Sequence, residues 1–347
     1  MPAPQMRAAA VRGRGQIEVA LRPLPEPGPG EVRVRVEACG ICGSDLHLYE
    51  QGFFPPGATP GHEPAGRIDA IGPGAASPAL GTRVAIEPIR GCGTCAPCRS
   101  GRYSICRDAK LAGVHVPGGL AEAIVVPAAN VYPVPDDLDP RVAALVEPMA
   151  VVVHALHRIA FQPGQRVLVL GAGSVGLLAA AAARRLGARE VWVSARHPHQ
   201  AALARAVGAT RVLDEKEASP EALDALGRRT PIDAVLETVG GRADTLRTAA
   251  AAARPGGAVA VVGVFWGSLA LDPMPLLLKE LTLAWSYCYG EDPAHGADFA
   301  EAVGIVAAAR EALAPLVTHS VPLADVERGF ALAADRRAGT LKVSVIP

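Results

Sequence analysis

Apolar and polar residues alternate over short stretches of the first 146 residues, and this alternation predicts β-strands. In residues 31–37 valines alternate with charged residues, which is typical of a strand with one buried and one solvated face. Residues 81–86 and 120–126 read as further strands. Residues 23–30 and 72–78 are rich in Pro and Gly and separate the strands. This half of the chain is therefore predicted to be β-rich, without a regular succession of strand and helix.

From Leu145 onward the pattern changes to helices that alternate with strands. Predicted helices cover residues 151–160, 174–186, 200–207 and 244–253, and predicted strands cover 166–170, 190–194, 234–237 and 259–263. This succession predicts a doubly wound parallel sheet with helices on both faces, so the fold class is α/β. From about Gly290 the pattern predicts helix 297–312, an amphipathic helix from Leu323 and strand 341–346, and the stretch 316–321 between the helices is not assigned. The pattern alone does not assign this last segment to either half.

Composition and charge exclude several classes of protein. The chain has 347 residues, half of them apolar, which is enough for two domains with separate cores. Lys+Arg and Asp+Glu are equal at 34 each, so no overall field attracts nucleic acid or an anionic membrane. The apolar run 167–183 is interrupted by glycines and ends in two arginines, which disfavours a membrane span. The N-terminal residues lack the pattern of a secretory signal.

Two short segments carry residue types that bind zinc. Cys42 is followed by Ser44 and His47, and His62 and Glu63 come a little later in the chain. A thiolate, an imidazole and a carboxylate from two short loops form a ligand set for a borderline-soft divalent ion, above all Zn²⁺. The hydroxyl of Ser44 and the imidazole of His47 are groups that a proton-moving reaction needs. The alternative is that these residues only pack or lie on the surface.

A second cluster has the spacing C-x₂-C-x₂-C-x₇-C and consists of Cys92, Cys95, Cys98 and Cys106. Four thiolates at this spacing predict a structural zinc site that leaves no position for a substrate. An iron–sulfur cluster also takes four thiolates, but nothing else in the sequence suggests electron transfer. The chain has seven cysteines, an odd number, and no export signal. These facts favour metal thiolates over disulfides and a cytoplasmic location.

A glycine-rich loop predicts a dinucleotide site. Strand 166–170 runs into Gly171, Gly173, Ser174, Val175 and Gly176, and an apolar helix follows. The free N–H groups at the start of such a helix can hold a pyrophosphate. A glycine-rich turn without a ligand is the alternative.

The end of the next strand favours NADP(H) over NAD(H). An NAD site normally has an acidic residue about 20 residues after the glycines, to bind the ribose hydroxyls. Here that position is Ala195, and Arg196 follows it, with His197 and His199 nearby. A small residue leaves room for a 2′-phosphate, and a guanidinium can bind the phosphate with two hydrogen bonds. The alternative is that Arg196 is a solvated surface residue and that Asp214 or another acid takes the ribose.

Together these motifs resemble the zinc-dependent medium-chain alcohol dehydrogenases, and within them the sorbitol, butanediol and threonine dehydrogenase branch. The resemblance covers essentially the whole chain and includes Glu147-Pro148 and the ending Gly339-Thr-Leu-Lys342. It implies a GroES-like catalytic domain in residues 1–150 that carries both zinc sites. It also implies a Rossmann domain in residues 151–289 and a segment 290–347 that returns to the catalytic domain. Relatives of this kind are homodimers or homotetramers.

The resemblance also assigns roles to individual residues. Cys42 and His62 match the catalytic-zinc ligands, whereas Cys39 falls at a position that the family does not use for the metal. Glu63 and Glu147 match carboxylates that bind zinc directly, through water or as neighbouring partners. By the same resemblance Ser44 accepts the proton of the alcohol and passes it through the cofactor ribose to His47 and water, while Asp45 orients the loop. Lys342 is expected to contact the dinucleotide.

Departures from the family pattern bear on the substrate, a small alcohol or ketone. Where polyol relatives have a tyrosine and an arginine that contact sugar hydroxyls, this chain has Leu48 and Ser286, while Tyr287 matches. Replacing Arg with Ser removes several donors, so we expect a substrate less polar than sorbitol, such as a secondary alcohol or ketone. One alternative is an NAD-dependent polyol or threonine dehydrogenase. Another is a non-catalytic nucleotide-binding protein, but its metal residues would be expected to be incomplete.

Overall fold

The computed structural model describes residues 4–76, 78–269, 271–335 and 339–347. The chain divides into two compact units. The first runs to Glu147 and resumes at Ala302, and the second covers Pro148–Glu301. Residues 290–301, which the resemblance groups with the C-terminal segment, therefore cluster with the second unit.

The first unit is built mainly of antiparallel strands. Its strands are β1 Gln5–Gly13, β2 Gln16–Pro23, β3 Glu31–Ile41, β4 Glu63–Ile71, β5 Arg83–Ile86, β6 Ile89–Arg90, β7 Lys110–Leu111, β8 Ala123–Pro127 and β9 Val131–Pro133, with β18 Val317–Pro322 and β19 Lys342–Ile346 after the second unit. A seven-stranded sheet has the order β18-β19-β3-β4-β5-β9, and β8 also pairs with β3. The pairs β1-β2 and β6-β7 lie outside this sheet.

Short helices complete the first unit. They are α1 Gly43–Gln51, α2 Ala96–Arg99, α3 Pro140–Ala143, α11 Arg310–Leu313 and α12 Val326–Ala334, with 3-10 turns at Tyr103–Ile105, Ala128–Asn130, Ala314–Leu316 and Leu323–Asp325. Helix α12 packs against the core of the sheet through buried Val326 and Phe330.

Strand β3 explains how the predicted alternation forms the core of this unit. Val32, Val34 and Val36 are buried, whereas the charged residues between them lie at the other face. From Ala38 to Ile41 every residue is buried, because here β3 runs between β4 and β19. β3 therefore ends as a central strand of the sheet, and Cys42 is the first residue after it.

The second unit contains a six-stranded parallel sheet. Its strands are β10 Arg166–Leu170, β11 Glu190–Ser194, β12 Arg211–Leu213, β13 Ile232–Glu237, β14 Ala253–Val261 and β15 Thr282–Trp285, in the order β12-β11-β10-β13-β14-β15. This is the 3-2-1-4-5-6 order of the dinucleotide-binding Rossmann fold. Two further strands, β16 Glu291–Asp292 and β17 Gly296–Ala297, form a small hairpin.

The helices between these strands are α5 Ser174–Arg185, α6 Pro198–Ala206, α7 Pro220–Arg229, α8 Thr245–Ala252 and α9 Pro273–Leu278. The unit boundaries fall within two more helices, α4 Val146–Arg158 and α10 Asp298–Ala308. Helix α5 is buried without interruption from Gly176 to Ala183, which explains the apolar run 167–183 as a core strand followed by a core helix. Within the described residues no helix is both long and apolar enough to cross a membrane.

The prediction of an α/β protein with a β-rich part and a doubly wound parallel sheet is confirmed. One local expectation was wrong. The segment after Cys42 is the helix α1 and not a loop, because Cys42 and Asp45 form a capping box that starts a helix there. Helix α7 was also missed, although Ser219 accepts a hydrogen bond from the N–H of Ala222 and Pro220 occupies its first position.

Candidate active site and cofactor loop

Three predicted ligands meet where β3 ends and β4 begins. One ligand atom from each of Cys42, His62 and Glu63 lies within 4.8 Å of the other two. Gly40 on β3 pairs directly with Glu63 on β4, so the sheet register sets the two segments side by side. His62 and Glu63 are buried, whereas Cys42 is half-buried.

Asp45 fixes this arrangement from the first turn of α1. Its Oδ2 accepts a hydrogen bond from the N–H of Cys42 at 3.0 Å, and its Oδ1 lies 3.2 Å from Nδ1 of His62. Burial alone would lower the pKa of His62, but the Asp45 carboxylate and the Cys42 thiolate raise it well above its ordinary value. A carboxylate on one imidazole nitrogen is the usual partner of a histidine that binds a metal through the other nitrogen. The donor set and its support therefore fit Zn²⁺.

Lys342 enters the same site from β19. Its Nζ donates hydrogen bonds to Oε1 and Oε2 of Glu63 at 2.6 and 2.7 Å, and to the carbonyl of Ile41 at 3.3 Å. Burial tends to lower the pKa of Lys342, but the charges of Glu63, Cys42 and Glu147 raise it. The expected contact of Lys342 with a dinucleotide stays a prediction.

Other predicted catalytic residues surround the cluster. Glu147 is buried in the first turn of α4, and within the described residues it is not part of the three-residue ligand group. Ser44 Oγ lies 3.5 Å from Nε2 of His62. His47 is half-buried and follows Ser44 by almost one turn of α1, and Leu48 packs against the core of the first unit.

The four cysteines of the second cluster also converge. The four Sγ atoms all lie within 4.8 Å of one another, and none of the four cysteines forms a disulfide. The N–H of Cys95 donates a hydrogen bond to Sγ of Cys92 at 3.4 Å. Hydrogen bonds from Thr94 and from this amide lower the pKa of Cys92. At Cys95 a backbone hydrogen bond from Cys98 acts to lower the pKa, but burial and hydrogen bonds with the other three cysteines raise it. The convergence of the four sulfurs is therefore the observation that fits a metal.

The glycine loop leaves β10 at Gly171 and opens α5 at Ser174. Gly171 has a φ of +102°, and its N–H donates a hydrogen bond to Oγ of Ser194 at 2.9 Å. A Cβ at Gly176 would overlap the carbonyl oxygen of Gly171, whereas a Cβ at Gly173 would meet no atom within 4 Å. The loop is thus closely packed on one side and open at Gly173, where a ligand could approach the backbone.

Two polar residues at the end of β13 and just after it were not predicted from the sequence, and the second of them contacts this loop. Thr238 Oγ1 donates a hydrogen bond to the carbonyl of Leu170 at 2.8 Å and lies against the glycines. Glu237 is fully buried, and its Oε1 accepts hydrogen bonds from the N–H groups of Val239 and Gly240. A charged residue directly after the apolar run 234–236 was the signal that could have identified Glu237.

The residues that were predicted to choose the dinucleotide lie at the end of β11. Arg196 Nε lies 2.9 Å from Oε1 of Glu215, and both side chains are about 70% exposed. Asp214, the alternative ribose ligand, uses Oδ1 to accept hydrogen bonds from the N–H groups of Lys216 and Glu217 at 2.9 Å. His197 and His199 stack beside Arg196 with ring centroids 5.6 Å apart.

The predicted substrate residues of the second unit follow β15. The N–H of Ser286 donates a hydrogen bond to the carbonyl of Val261 at 2.9 Å, and its hydroxyl is buried. Tyr287 is 56% exposed. Their contact with a substrate stays a prediction, as does that of Leu48.

The chain matches two family descriptions. Residues 28–136 match the alcohol dehydrogenase GroES-like domain, and residues 174–308 match the zinc-binding dehydrogenase domain. An L-threonine 3-dehydrogenase from Anaeromyxobacter sp. (strain Fw109-5) is 35% identical over 306 residues, which cover 85% of this chain and 86% of that protein. The chain belongs to the zinc-dependent medium-chain dehydrogenase family. It is an oxidoreductase that acts on CH–OH groups with a nucleotide cofactor.

Solved structures resemble this dehydrogenase over nearly its whole length. A zinc-binding dehydrogenase from Sinorhizobium meliloti 1021 with NADP bound is 32% identical, with a TM-score of 0.88, and the match covers 99% of this chain and 100% of that one. Galactitol-1-phosphate dehydrogenase from Escherichia coli is 31% identical, with a TM-score of 0.90 and the same coverage. The L-threonine 3-dehydrogenase and the galactitol-1-phosphate dehydrogenase are named for different substrates, so the family alone does not identify the substrate of this dehydrogenase.

Proposed function

We propose that this dehydrogenase transfers hydride between NADP(H) and a secondary alcohol or ketone that is less polar than sorbitol. The observation that carries the proposal is the convergence of Cys42, His62 and Glu63 at the start of α1. Ser44 lies in the first turn of the same helix and can receive a proton beside the metal. The proposed proton acceptor therefore lies beside the proposed metal ligands.

In this proposal Cys42 and His62 hold the catalytic zinc, with Glu63 and Glu147 as direct or neighbouring carboxylates. The bound ion supplies a Lewis acid that lowers the pKa of an alcohol hydroxyl. Asp45 holds the imidazole of His62 and the backbone of Cys42 in place. Ser44 would accept the hydroxyl proton and His47 would release it to water, and a bound cofactor would supply its ribose hydroxyls as the link between the two residues. The four-cysteine cluster holds a structural zinc.

The second unit binds the dinucleotide in this proposal. The open backbone at Gly173 and the N-terminus of α5 receive the pyrophosphate, and Ala195 and Arg196 accommodate the 2′-phosphate. The related structure with NADP bound supports this choice. We also propose that residues 1–150 and 290–347 form the catalytic domain, that residues 151–289 form the dinucleotide domain, and that the protein is a homodimer or homotetramer.

The substrate class is inferred from Leu48 and Ser286, which replace larger polar side chains of polyol relatives. An aliphatic side chain and a single hydroxyl cannot bind several substrate hydroxyls as a phenol and a guanidinium can. A panel of secondary alcohols, polyols and L-threonine tests this inference by kcat/KM. A sugar alcohol such as sorbitol or xylitol as the best substrate would overturn it.

An NAD-dependent polyol or threonine dehydrogenase is the second candidate. The ion pair between Arg196 and Glu215 supports it, because Glu215 places a carboxylate beside the guanidinium that would bind the 2′-phosphate. The identity to an L-threonine 3-dehydrogenase supports it as well. The ratio of kcat/KM for NADPH and NADH separates the two candidates.

The metal is tested by chelation and by the variant Cys42→Ser. We expect removal of zinc with a strong chelator, or loss of the Cys42 thiolate, to reduce kcat/KM by more than about a hundredfold. Added Zn²⁺ should restore the chelated enzyme but not the variant. Full activity in either case would rule out the proposed chemistry.

A further inference from the structure

We propose that Lys342 is a positioning residue of the metal site, which holds the Glu63 carboxylate against Cys42 and His62 instead of contacting the dinucleotide. This inference rests on the proposed zinc site. It assigns to the C-terminal strand β19 a function in metal binding.

The hydrogen bonds of Lys342 are the first argument. An ammonium group has three N–H donors and no acceptor. Nζ of Lys342 has three acceptors within hydrogen-bonding distance, which are the two oxygens of Glu63 and the carbonyl of Ile41. The side chain of Lys342 is 4% exposed and that of Glu63 is fully buried. Lys342 therefore has no donor left for a phosphate of the cofactor.

The register of three neighbouring strands is the second argument. Val343 on β19 pairs with Ile41 on β3, and Gly40 on β3 pairs with Glu63 on β4. Lys342 thus reaches across the end of β3 to the start of β4. A Cβ at Gly40 would overlap Oε2 of Glu63. The absence of a side chain at Gly40 gives the carboxylate its space, and Lys342 fixes its orientation within that space.

The charges in the site are the third argument. Glu63 is fully buried, and Nζ of Lys342 pairs with its Oε1 at 2.6 Å. A buried carboxylate without a partner is costly. Without the ammonium group of Lys342, Glu63 would lose the interaction that fixes its place beside Cys42 and His62.

The experiment measures zinc release to a colorimetric chelator from the full-length, zinc-loaded enzyme. Zinc release from the wild type is compared with release from Cys42→Ser. The kinetic phase of zinc release that this variant lacks is assigned to the catalytic zinc. Groups that orient metal ligands typically contribute about 10–100-fold to metal affinity, so we expect Lys342→Met to release this zinc faster by about that factor. Lys342→Arg, which keeps the charge and donors, should restore most of the retention.

A double-mutant cycle separates positioning from a general structural role. If Lys342 acts through Glu63, the variant Glu63→Gln with Lys342→Met should release zinc no faster than Glu63→Gln alone. This pair replaces both charges with neutral groups, so it also serves if Lys342→Met alone folds poorly. Additive effects of the two substitutions on zinc release would contradict the proposal.

Two further measurements complete the test. The affinity of Lys342→Met for NADPH, measured by fluorescence, should match that of the wild type. A loss of NADPH affinity with unchanged zinc release would show that Lys342 binds the cofactor instead.

The variant Gly40→Ala should release the catalytic zinc faster than the wild type. The control Gly304→Ala should not, because a Cβ at Gly304 meets no atom within 4 Å. If the wild type has no zinc phase that depends on Cys42, the proposed function fails; if only the Lys342 effects are absent, only this inference fails.

Discussion

At the scale of single residues, the ion pair between Arg196 and Glu215 bears most directly on cofactor choice. The two side chains are about 70% exposed, so their pairing contributes little to stability and can be exchanged for a ligand. A 2′-phosphate offers Arg196 a stronger partner than a single carboxylate, because its charge is larger and it has more acceptor oxygens. Glu215 would then compete with the cofactor for the same guanidinium.

We predict that Arg196→Ala raises KM for NADPH by about tenfold and changes KM for NADH by less than about twofold, because only NADPH has the 2′-phosphate. Steady-state kinetics with both cofactors checks this. The control is Glu215→Gln, which should not raise KM for NADPH, since it frees the guanidinium. Equal effects of Arg196→Ala on both cofactors would argue against a 2′-phosphate site at this residue.

At the scale of elements, two glycines of the loop between β10 and α5 have different roles, one in packing and one in ligand binding. Gly176 has no room for a Cβ beside Gly171 and Thr238, whereas Gly173 faces open space. The third glycine of such a loop permits close packing of helix and strand, and the second permits close approach of the pyrophosphate.

We therefore predict opposite outcomes for two alanine substitutions in this loop. Gly176→Ala should lower Tm by several degrees, because the new methyl group collides with the backbone of Gly171. Gly173→Ala should leave Tm within about 1 °C of the wild type but weaken NADPH binding by about tenfold or more. Thermal unfolding and fluorescence titration measure the two effects. A stable Gly176→Ala variant would show that the loop can shift without cost.

A second element-level feature connects α4 with the start of α10. Asp298 accepts hydrogen bonds from Nδ1 of His154 at 2.7 Å and Nδ1 of His157 at 2.6 Å, and its Oδ2 also accepts one from the N–H of Gly290. Nε2 of His157 lies 3.1 Å from Glu301. Burial alone would lower the pKa of His157, but Asp298, Glu301 and Asp292 raise it above its ordinary value.

This pKa shift predicts how stability depends on pH. A histidine whose pKa is raised by folding stabilises the protein fully below its unfolded pKa of about 6.5, and the effect is lost as pH rises through the folded value. We expect His157→Asn to lower Tm by about 2–4 °C near pH 6, corresponding to about 1 kcal/mol, and by less near pH 8.5. The exposed His199→Asn should show no such difference. A His157→Asn effect that grows with pH would contradict the assignment.

At the scale of the whole molecule, both metal clusters lie in the first unit and the glycine loop lies in the second. Lys342, which comes from the end of the chain, lies at the same cluster as Cys42. The four-cysteine cluster, by contrast, is formed within residues 92–106 and uses only local chain. The two metal sites should therefore have separable effects.

We predict that Cys98→Ser loses the structural zinc and lowers Tm by at least about 5 °C, while the zinc phase that depends on Cys42 remains. Metal analysis and thermal unfolding of the same sample check this. Cys288→Ser, outside both clusters, should change neither zinc content nor Tm appreciably. Loss of both zinc ions in Cys98→Ser would show that the two sites depend on each other.

Local sequence determined much of this protein. The succession of strand, glycines and helix was enough to predict β10, the loop and α5, because each depends on short-range propensity and on the spacing of apolar residues. The spacing of the four cysteines was equally informative, because a closed tetrahedral site needs only a short segment. The helix after Cys42 was less evident, since its start depends on a capping box in which a cysteine takes the place of the usual serine or threonine.

The tertiary structure alone decided which distant residues meet. The position of Lys342 beside Glu63 depends on the register of β19, β3 and β4, although Lys342 and Glu63 are 279 residues apart in the chain. The interaction of Asp298 with two histidines of α4 likewise depends on the packing of two helices. No local pattern encodes such pairs, because strand register and helix packing are set by the burial of whole faces and not by the residues that finally touch.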